Sequence, residues 1–298
     1  MNYPEFETAF EAQFQKHTVS YPHAVEYHRA RFNQTIQYLL SSILEQADTL
    51  IQQPETNWAH TEEIVSDILY CGEITVEQLF ALELPTQLTA DRDFEAVKTK
   101  LYETKYYPIR EHLNYIAFPP ALERKTFIGK HLDCFKEKSH FCDLGFGPGV
   151  LTAFILQQNA SWQAEGVDVS QHCLHHAQRL LEKKIVLDRS KLSVGDVRSL
   201  HYPDDTFDGV IAVEVLEHIP DPETGLLEAM RVLKPGGYLI TALPVQLPLL
   251  MHLYDFDSPD EVLALYEKVG LKIIDFETKE FQHQSDSFID TFALSVKL

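Results

Sequence analysis

The second half of the chain alternates between two hydrophobic patterns that predict different elements. Short runs rich in β-branched and aromatic residues, among them 141–145, 162–169 and 207–213, are strand-like, and amphipathic segments of about 10–15 residues separate most of them. Strands that alternate with helices predict a parallel sheet with helices on both faces. The last two runs are joined only by the short segment QHQSDS. Because a parallel crossover needs a longer connection, the sheet should end in an antiparallel strand.

The first part of the chain has a helical pattern instead. Phe6, Phe10 and Phe14 recur at every fourth position, and no long strand-like alternation follows them until the runs described above. We therefore predict two domains. Residues 1–120 form an N-terminal all-helical cap or substrate-recognition domain, and residues 121–298 form the α/β domain.

The segment DLGFGPG, which begins at Asp143, joins the first strand-like run to a helical segment. Gly145, Gly147 and Gly149 permit a tight turn and a close approach of a ligand to the main chain, and the helix start adds free N–H groups. The dinucleotide fingerprint needs a third glycine where Val150 stands. A carboxylate beside the loop suits a cationic or amino-bearing ligand and opposes a pyrophosphate. The alternative is a purely structural strand–helix turn.

Acidic residues also stand at the ends of the next two strand-like runs. Asp168 ends the run GVDVS, where an acid can accept hydrogen bonds from ribose hydroxyls, and the alternative is a solvated acid at a strand end. Asp196 in VGDV could accept from the amino group of adenine, while the Val197 N–H donates to the ring. Three acids at successive strand ends indicate a site for a nucleoside without a phosphate.

The charge balance narrows the possible partners. The chain has 25 Lys and Arg against 45 Asp and Glu, which leaves a formal net charge of −20. Such a protein repels a phosphate backbone and an anionic membrane surface, so we expect neither nucleic acid nor a membrane as partner. The four cysteines form no CxxC pair, and the N-terminus has no basic segment followed by an apolar run. These features favour a cytoplasmic protein, and they leave open whether it is a monomer or a homodimer.

The region from about residue 120 to 298 resembles the class I S-adenosylmethionine-dependent methyltransferases. The resemblance rests on DLGFGPG, GVDVS and VGDV, and on two later segments, PDDTFDGVIAVEVLEHI at 203–219 and RVLKPGGYLI at 231–240. It implies S-adenosylmethionine as the cofactor and a seven-stranded sheet with an antiparallel last strand. The expected activity is methyl transfer to oxygen or nitrogen of a small-molecule acceptor. Residues before about 120 carry no such resemblance.

The resemblance also implies which residues bind the cofactor. The three glycines should line its methionine portion, the first acid should lie near its ammonium group, the second should bind the ribose and the third the adenine. The expected cofactor-binding residues are Asp143, Gly145, Gly147, Gly149, Asp168, Val169, Asp196, Val197 and Glu214.

The segment EVLEHI follows the fourth strand-like run, on the side where an acceptor should lie. His218 is the candidate general base, because a hydroxyl or ammonium group of the acceptor must lose a proton when it is methylated. The alternative is that His218 packs beneath the cofactor loop. The spacing of Glu214, Glu217 and His218 is similar to the metal-binding motif of small-RNA end methyltransferases and of some quinone-ring O-methyltransferases. Because the same string is common without metal, we predict no metal ion.

An aromatic and cationic stretch precedes the α/β domain. We expect Tyr107 and Arg110 to bind the acceptor, Arg110 through an acceptor carboxylate, and the alternative is a packed interdomain helix. His172 and His176 are one helical turn apart but should face solvent, so we expect no zinc site there.

Three other functions compete with methylation of a small molecule. The N-terminal helices could dock a peptide or protein acceptor, or the same cofactor could serve aminopropyl transfer. The chain could also be a non-catalytic subunit that binds a nucleoside.

Overall fold

The computed structural model of the chain describes residues 94–98, 102–103, 106–117, 119–247, 251–283 and 286–298. Among these residues, three helices precede the sheet, namely α1 (Phe94–Val97), α2 (Tyr106–Ala117) and α3 (Pro119–His131). The other predicted helices of the first part of the chain lie outside the described residues, so the N-terminal helical domain and its boundary remain predictions. The described residues up to 108 and from 120 onward belong to one compact unit, and residues 109–117 and 119 belong to another.

Seven of the described segments form a single sheet, as the sequence predicted. They are β1 (His140–Leu144), β2 (Gln163–Asp168), β3 (Ser190–Val194), β4 (Phe207–Val213), β5 (Leu233–Val245), β6 (Leu271–His283) and β7 (Asp286–Lys297).

The strand order is β3-β2-β1-β4-β5-β7-β6. Strands β1 to β5 pair in parallel, whereas β7 pairs antiparallel with both β5 and β6. The antiparallel last strand is therefore confirmed. Strand β6 extends further than the run KIIDFET predicted, because β6 and β7 continue as a paired hairpin until His283 lies opposite Asp286.

Four further helices connect the strands: three follow β1, β2 and β4, and the fourth precedes β6. They are α4 (Val150–Gln158), α5 (Gln171–Lys183), α6 (Pro222–Val232) and α7 (Pro259–Lys268). The side chains of Ser170, Asp221 and Ser258 each accept a hydrogen bond from a backbone N–H in the first turn of the next helix, which fixes where α5, α6 and α7 begin. Among the described residues, no helix is long and apolar enough to cross a bilayer.

The strand order determines where a ligand can lie. The chain runs from β1 outward to β2 and β3, then returns to β4 on the other side of β1. In open parallel sheets, ligands bind outside the carboxyl ends of the strands at this reversal. The register places Asp143 opposite Gly166 and Asp168 opposite Val194, so the predicted acids end neighbouring strands. Below this edge, buried side chains such as Phe207 and Leu239 form the core that keeps the strand ends in place.

Candidate functional site

The glycine loop after β1 has a backbone that few other residues would adopt. Gly145, Gly147 and Gly149 have φ of 64°, 51° and 81°, which is the left-handed region. A Cβ on Gly145 would lie 2.7 Å from Cγ2 of Val215, and a Cβ on Gly149 would lie 2.7 Å from Cβ of Ala177. The loop therefore needs glycine both for its backbone conformation and for its close packing between α5 and the segment after β4.

Asp143 lies near the end of β1 and is almost fully buried. Its carboxylate accepts a hydrogen bond of 2.5 Å from the Thr152 hydroxyl of α4. Burial raises the pKa of Asp143 to about 7, and the nearby charge of Asp168 acts in the same direction. Burial thus favours the neutral form of this carboxyl group, and a cationic group bound beside it would favour the charged form.

Asp168 ends β2 and connects two loops through its carboxylate. It accepts hydrogen bonds from the backbone N–H of Gly147 at 2.9 Å and of Ser170 at 2.8 Å. Burial raises the pKa of Asp168, while these two hydrogen bonds oppose the shift. The structure therefore brings Asp143, Asp168 and the glycine loop together, which is the arrangement that the sequence predicted.

Asp196, just beyond β3, is held by an arginine that the sequence analysis did not single out. The guanidinium of Arg198 donates to both carboxylate oxygens, with Nη2 to Oδ2 at 2.6 Å. Burial opposes ionisation of Asp196, but hydrogen bonds from the Arg198 side chain and backbone outweigh it and lower the pKa. The Phe94 ring lies 4.4 Å from the guanidinium carbon. An adenine amino group at Asp196 would have to share these oxygens with Arg198, next to the buried side chain of Val197.

Val169 and Glu214 are at the edge of this region, and the two side chains differ in their surroundings. Val169 follows β2 and is partly buried. Glu214 follows β4, and its carboxylate lies 3.1 Å from Nη2 of Arg124 in α3, which also contacts Asp290 of β7 at 2.8 Å. The structure thus places Glu214 in an ion network with the buried side chains of Arg124 and Asp290, and the group of potential metal ligands at Glu217 and His218 does not include it.

His218 ends a short turn, Leu216–His218, that follows β4. Its Nδ1 lies 3.1 Å from the carbonyl oxygen of Met251, and its Nε2 lies 3.7 Å from Oε1 of Glu217. The His252 ring centroid is 5.0 Å from that of His218. One potential ligand atom from each of Glu217, His218 and His252 lies within 4.8 Å of the others. The sequence analysis missed His252, because it stands in the segment LLMHLYDF with no motif spacing to the other two residues.

Tyr102 contacts both the turn with His218 and the start of α5. The Tyr102 ring lies 5.9 Å from the His218 ring and 4.9 Å from the Tyr107 ring. The hydroxyl of Ser170 donates a hydrogen bond to the Tyr102 carbonyl oxygen. Tyr107 also packs on the small cluster that contains Phe146 of the glycine loop. Tyr107 is therefore close to the predicted site, and Tyr102 is a further aromatic residue there that the sequence analysis missed.

Other predicted positions lie further along the helices. Arg110 belongs to α2, and its side chain is outside the described part of the structure. His172 and His176 of α5 are partly exposed. Within the described part, neither histidine belongs to the cluster of potential metal ligands, which lies at Glu217.

Comparison with known proteins gives a family match for the part of the chain that carries the site. A family model described as a methyltransferase domain matches residues 142–241, which run from β1 into β5. The matched segment contains the glycine loop, Asp168, Asp196 and the turn with His218.

Two curated relatives share about a third of their aligned residues with this chain. An uncharacterised methyltransferase of Schizosaccharomyces pombe is 36% identical over 119 residues, which are 38% of this chain and 42% of that protein. The chloroplastic 2-methyl-6-phytyl-1,4-hydroquinone methyltransferase 1 of Oryza sativa subsp. japonica is 30% identical over 136 residues, which are 44% of this chain and 40% of that protein. The chain thus spans about two fifths of the length of these relatives.

A solved structure with a similar fold contains the expected cofactor. Phosphoethanolamine N-methyltransferase 2 of Haemonchus contortus, in complex with S-adenosyl-L-methionine, matches with a TM-score of 0.57 and 16% identity. The match covers 69% of this chain and 60% of that one. At this identity the likeness concerns the fold.

Proposed function

We propose that the protein uses S-adenosylmethionine to methylate oxygen or nitrogen of a small-molecule acceptor, through the methyltransferase domain that residues 142–241 match. One observation carries the proposal. The buried carboxyl groups of Asp143 and Asp168 end neighbouring strands beside a loop whose backbone a ligand can approach.

The residues at this edge fit the cofactor in charge and shape. Burial makes the ionised form of Asp143 costly, and the ammonium group of the cofactor would offset that cost. A Cβ on Gly147 would approach only the Gly145 carbonyl oxygen, at 3.9 Å, so this loop position leaves room for the methionine portion. Asp168 would accept hydrogen bonds from the ribose hydroxyls, and its own hydrogen bond from Gly147 would keep the loop in position. Asp196, Val197 and neighbouring residues would then contact the adenine.

The cofactor supplies a methyl group on a sulfonium, so the chain mainly has to align the acceptor and exclude water. His218 is the proposed general base. When its Nδ1–H donates to the Met251 carbonyl, Nε2 is the unprotonated nitrogen and can accept a proton from the acceptor. The largely buried side chain of His218 and the adjacent ring of Tyr102 would help to keep water away.

Three observations favour a small acceptor. The net charge of −20 opposes an RNA or DNA acceptor. The rice relative is named for a methylated hydroquinone. The aromatic rings of Tyr102 and Tyr107 lie beside His218 and the glycine loop, where they would contact an apolar acceptor. From the sequence, we propose that Arg110 binds a carboxylate of the acceptor.

The test is turnover of the full chain with S-adenosylmethionine and a panel of phenols, carboxylic acids and amines. We expect S-adenosylhomocysteine to accumulate with at least one acceptor, and the methylated product to be identifiable by mass spectrometry. Methylthioadenosine would instead indicate aminopropyl transfer, and turnover only with peptides would indicate a protein acceptor. Cofactor binding without turnover on any acceptor would favour a non-catalytic subunit.

Calorimetric measurement of S-adenosylhomocysteine binding tests the cofactor residues. Asp168→Ala should weaken binding of S-adenosylhomocysteine by about 1–3 kcal/mol, because ribose hydroxyls lose their acceptor. The matched control is Asp188→Ala, at an exposed position in the loop before β3. Equal affinity of both variants in calorimetry would exclude Asp168 as a ribose ligand.

A further inference from the structure

We propose that Glu217, His218 and His252 bind a divalent transition-metal ion of the zinc type beyond the carboxyl end of β4. Their potential ligand atoms lie within 4.8 Å of one another, and the side chains of Glu217 and His252 are almost fully buried. The spacing of the sequence motif pointed to a different set, with Glu214 in place of His252. The structure assigns Glu214 to Arg124 and brings His252 into the cluster from the segment after β5.

Backbone contacts hold the three residues together without an ion. The Leu253 and Tyr254 N–H groups donate to the Glu217 carbonyl oxygen at 2.8 and 3.1 Å. These contacts attach the segment that carries His252 to the turn that carries Glu217 and His218. The donor geometry is therefore built into the fold, and binding of an ion would need little ordering of the chain.

The His218 ring has the hydrogen-bond arrangement that is usual for metal-binding histidines. Its Nδ1 is 3.1 Å from the Met251 carbonyl oxygen, so an Nδ1–H donated there leaves Nε2 unprotonated and directed towards Glu217. Histidines that bind metals almost always donate their other N–H to a carbonyl or carboxylate, which fixes the tautomer and the ring. The residue that provides this carbonyl immediately precedes His252, so one stretch of backbone orients both histidines.

The donor set selects the class of ion. Two imidazoles and one carboxylate form the ligand set of catalytic zinc sites that retain one open position, whereas Mg²⁺ and Ca²⁺ prefer oxygen ligands. Tetrahedral zinc ligands at ~2.0–2.1 Å from the ion lie about 3.4 Å apart. The three donor atoms would therefore have to approach one another by about 1 Å, which side-chain rotation can provide.

The role of the open coordination position on the ion rests on the proposed function. If the protein is a methyltransferase of small molecules, an acceptor hydroxyl bound there would become more acidic on the ion. The electron pair of His218 Nε2 would then hold the metal and could not take a proton. Metal binding and the general-base role of His218 are thus alternatives, and a binding experiment separates them without any assay of turnover.

The test is metal titration of the chelator-treated full chain. We expect Zn²⁺ to bind once per chain by calorimetry and Co²⁺ to give the intense visible absorption of a four-coordinate site, while Mg²⁺ gives no heat. Glu217→Gln and His252→Gln should each weaken Zn²⁺ binding by more than the ~10–100-fold that follows loss of an outer-shell partner. Binding of S-adenosylhomocysteine to each variant checks that it is folded.

The matched control tests whether histidines on the surface of α5 bind zinc. His172 and His176 are one turn apart on α5, so the double variant His172→Gln/His176→Gln removes a pair that could capture zinc adventitiously. We expect the double variant to bind Zn²⁺ as the native chain does. The inference is overturned if the native chain binds no Zn²⁺, if only the control loses it, or if Mg²⁺ binds instead. If neither cluster variant folds, the Co²⁺ spectrum of the native chain decides, because a six-coordinate spectrum would contradict this site.

Discussion

Replacement of Asp143 by asparagine should remove a pH-dependent loss of stability from the cofactor-free protein. The pKa of this carboxyl is raised from 3.8 to about 7, chiefly by burial. Between these two pH values the native chain retains a proton that the unfolded chain has released. The native state is therefore destabilised as the pH rises, and the contribution of this group is fully present below pH ~4 and lost by pH ~7.

The magnitude follows from the size of the shift. Each pKa unit corresponds to ~1.4 kcal/mol, so the rise from 3.8 to about 7 amounts to about 4 kcal/mol between the two limits. Asparagine has nearly the same shape and can still accept the hydrogen bond from the Thr152 hydroxyl, but it does not titrate. The free energy of unfolding of Asp143→Asn should therefore lack this decline.

The assay is urea unfolding of both proteins at pH 5, 6, 7 and 8, followed by tryptophan fluorescence. The difference between native chain and variant cancels the titration of groups that do not interact with Asp143. We expect the variant to gain about 3 kcal/mol relative to the native chain between pH 5 and pH 8, because the rest of the ~4 kcal/mol is lost below pH 5. The control Asp188→Asn, at an exposed position, should run parallel to the native chain. If the curves of Asp143→Asn and the native chain are also parallel, the explanation by burial is wrong.

Three further substitutions test the packing, the buried ion network and the proposed base. Gly145→Ala should destabilise the fold by about 1–3 kcal/mol, because its Cβ would lie 2.7 Å from Val215 at a left-handed φ, and Val215→Ala should recover part of the loss in thermal unfolding. Arg124→Met should cost about 3–5 kcal/mol at pH 8 and less as the pH falls, because burial raises the pKa of Asp290 and favours its neutral form, and a loss that does not change with pH would contradict the ion-pair role. His218→Ala should lower turnover while calorimetric affinity for S-adenosylhomocysteine stays constant, and undiminished turnover would make this histidine structural.

Local sequence features predicted the sheet well because each feature has a local physical cause. The glycines in DLGFGPG have positive φ in the structure, and strand-like runs became strands because their side chains alternate or are buried on both faces. The short connection between the last two strands allowed only an antiparallel pair, and β6 and β7 form one. The acids Asp143 and Asp168 could be assigned to one edge because parallel strands end there.

The contacts of charged and polar side chains were not predictable in the same way. Arg124 and Asp290 are 166 positions apart, and His218 and Met251 are 33 apart, so no spacing rule connects them. Arg198 was missed for a different reason. It lies two residues beyond Asp196, and only the fold of that loop turns its guanidinium back onto the carboxylate.

The sequence by itself therefore determined the order of the elements, the sheet and the strand ends at which Asp143 and Asp168 lie. Hydrophobic periodicity, glycine conformation and connection length act over a few neighbouring residues and can be read along the chain. Tertiary structure alone decided that Glu214 pairs with Arg124, and that His252 completes the group at Glu217 and His218. Such pairings depend on distances between atoms of remote segments, which are fixed only when the core has packed.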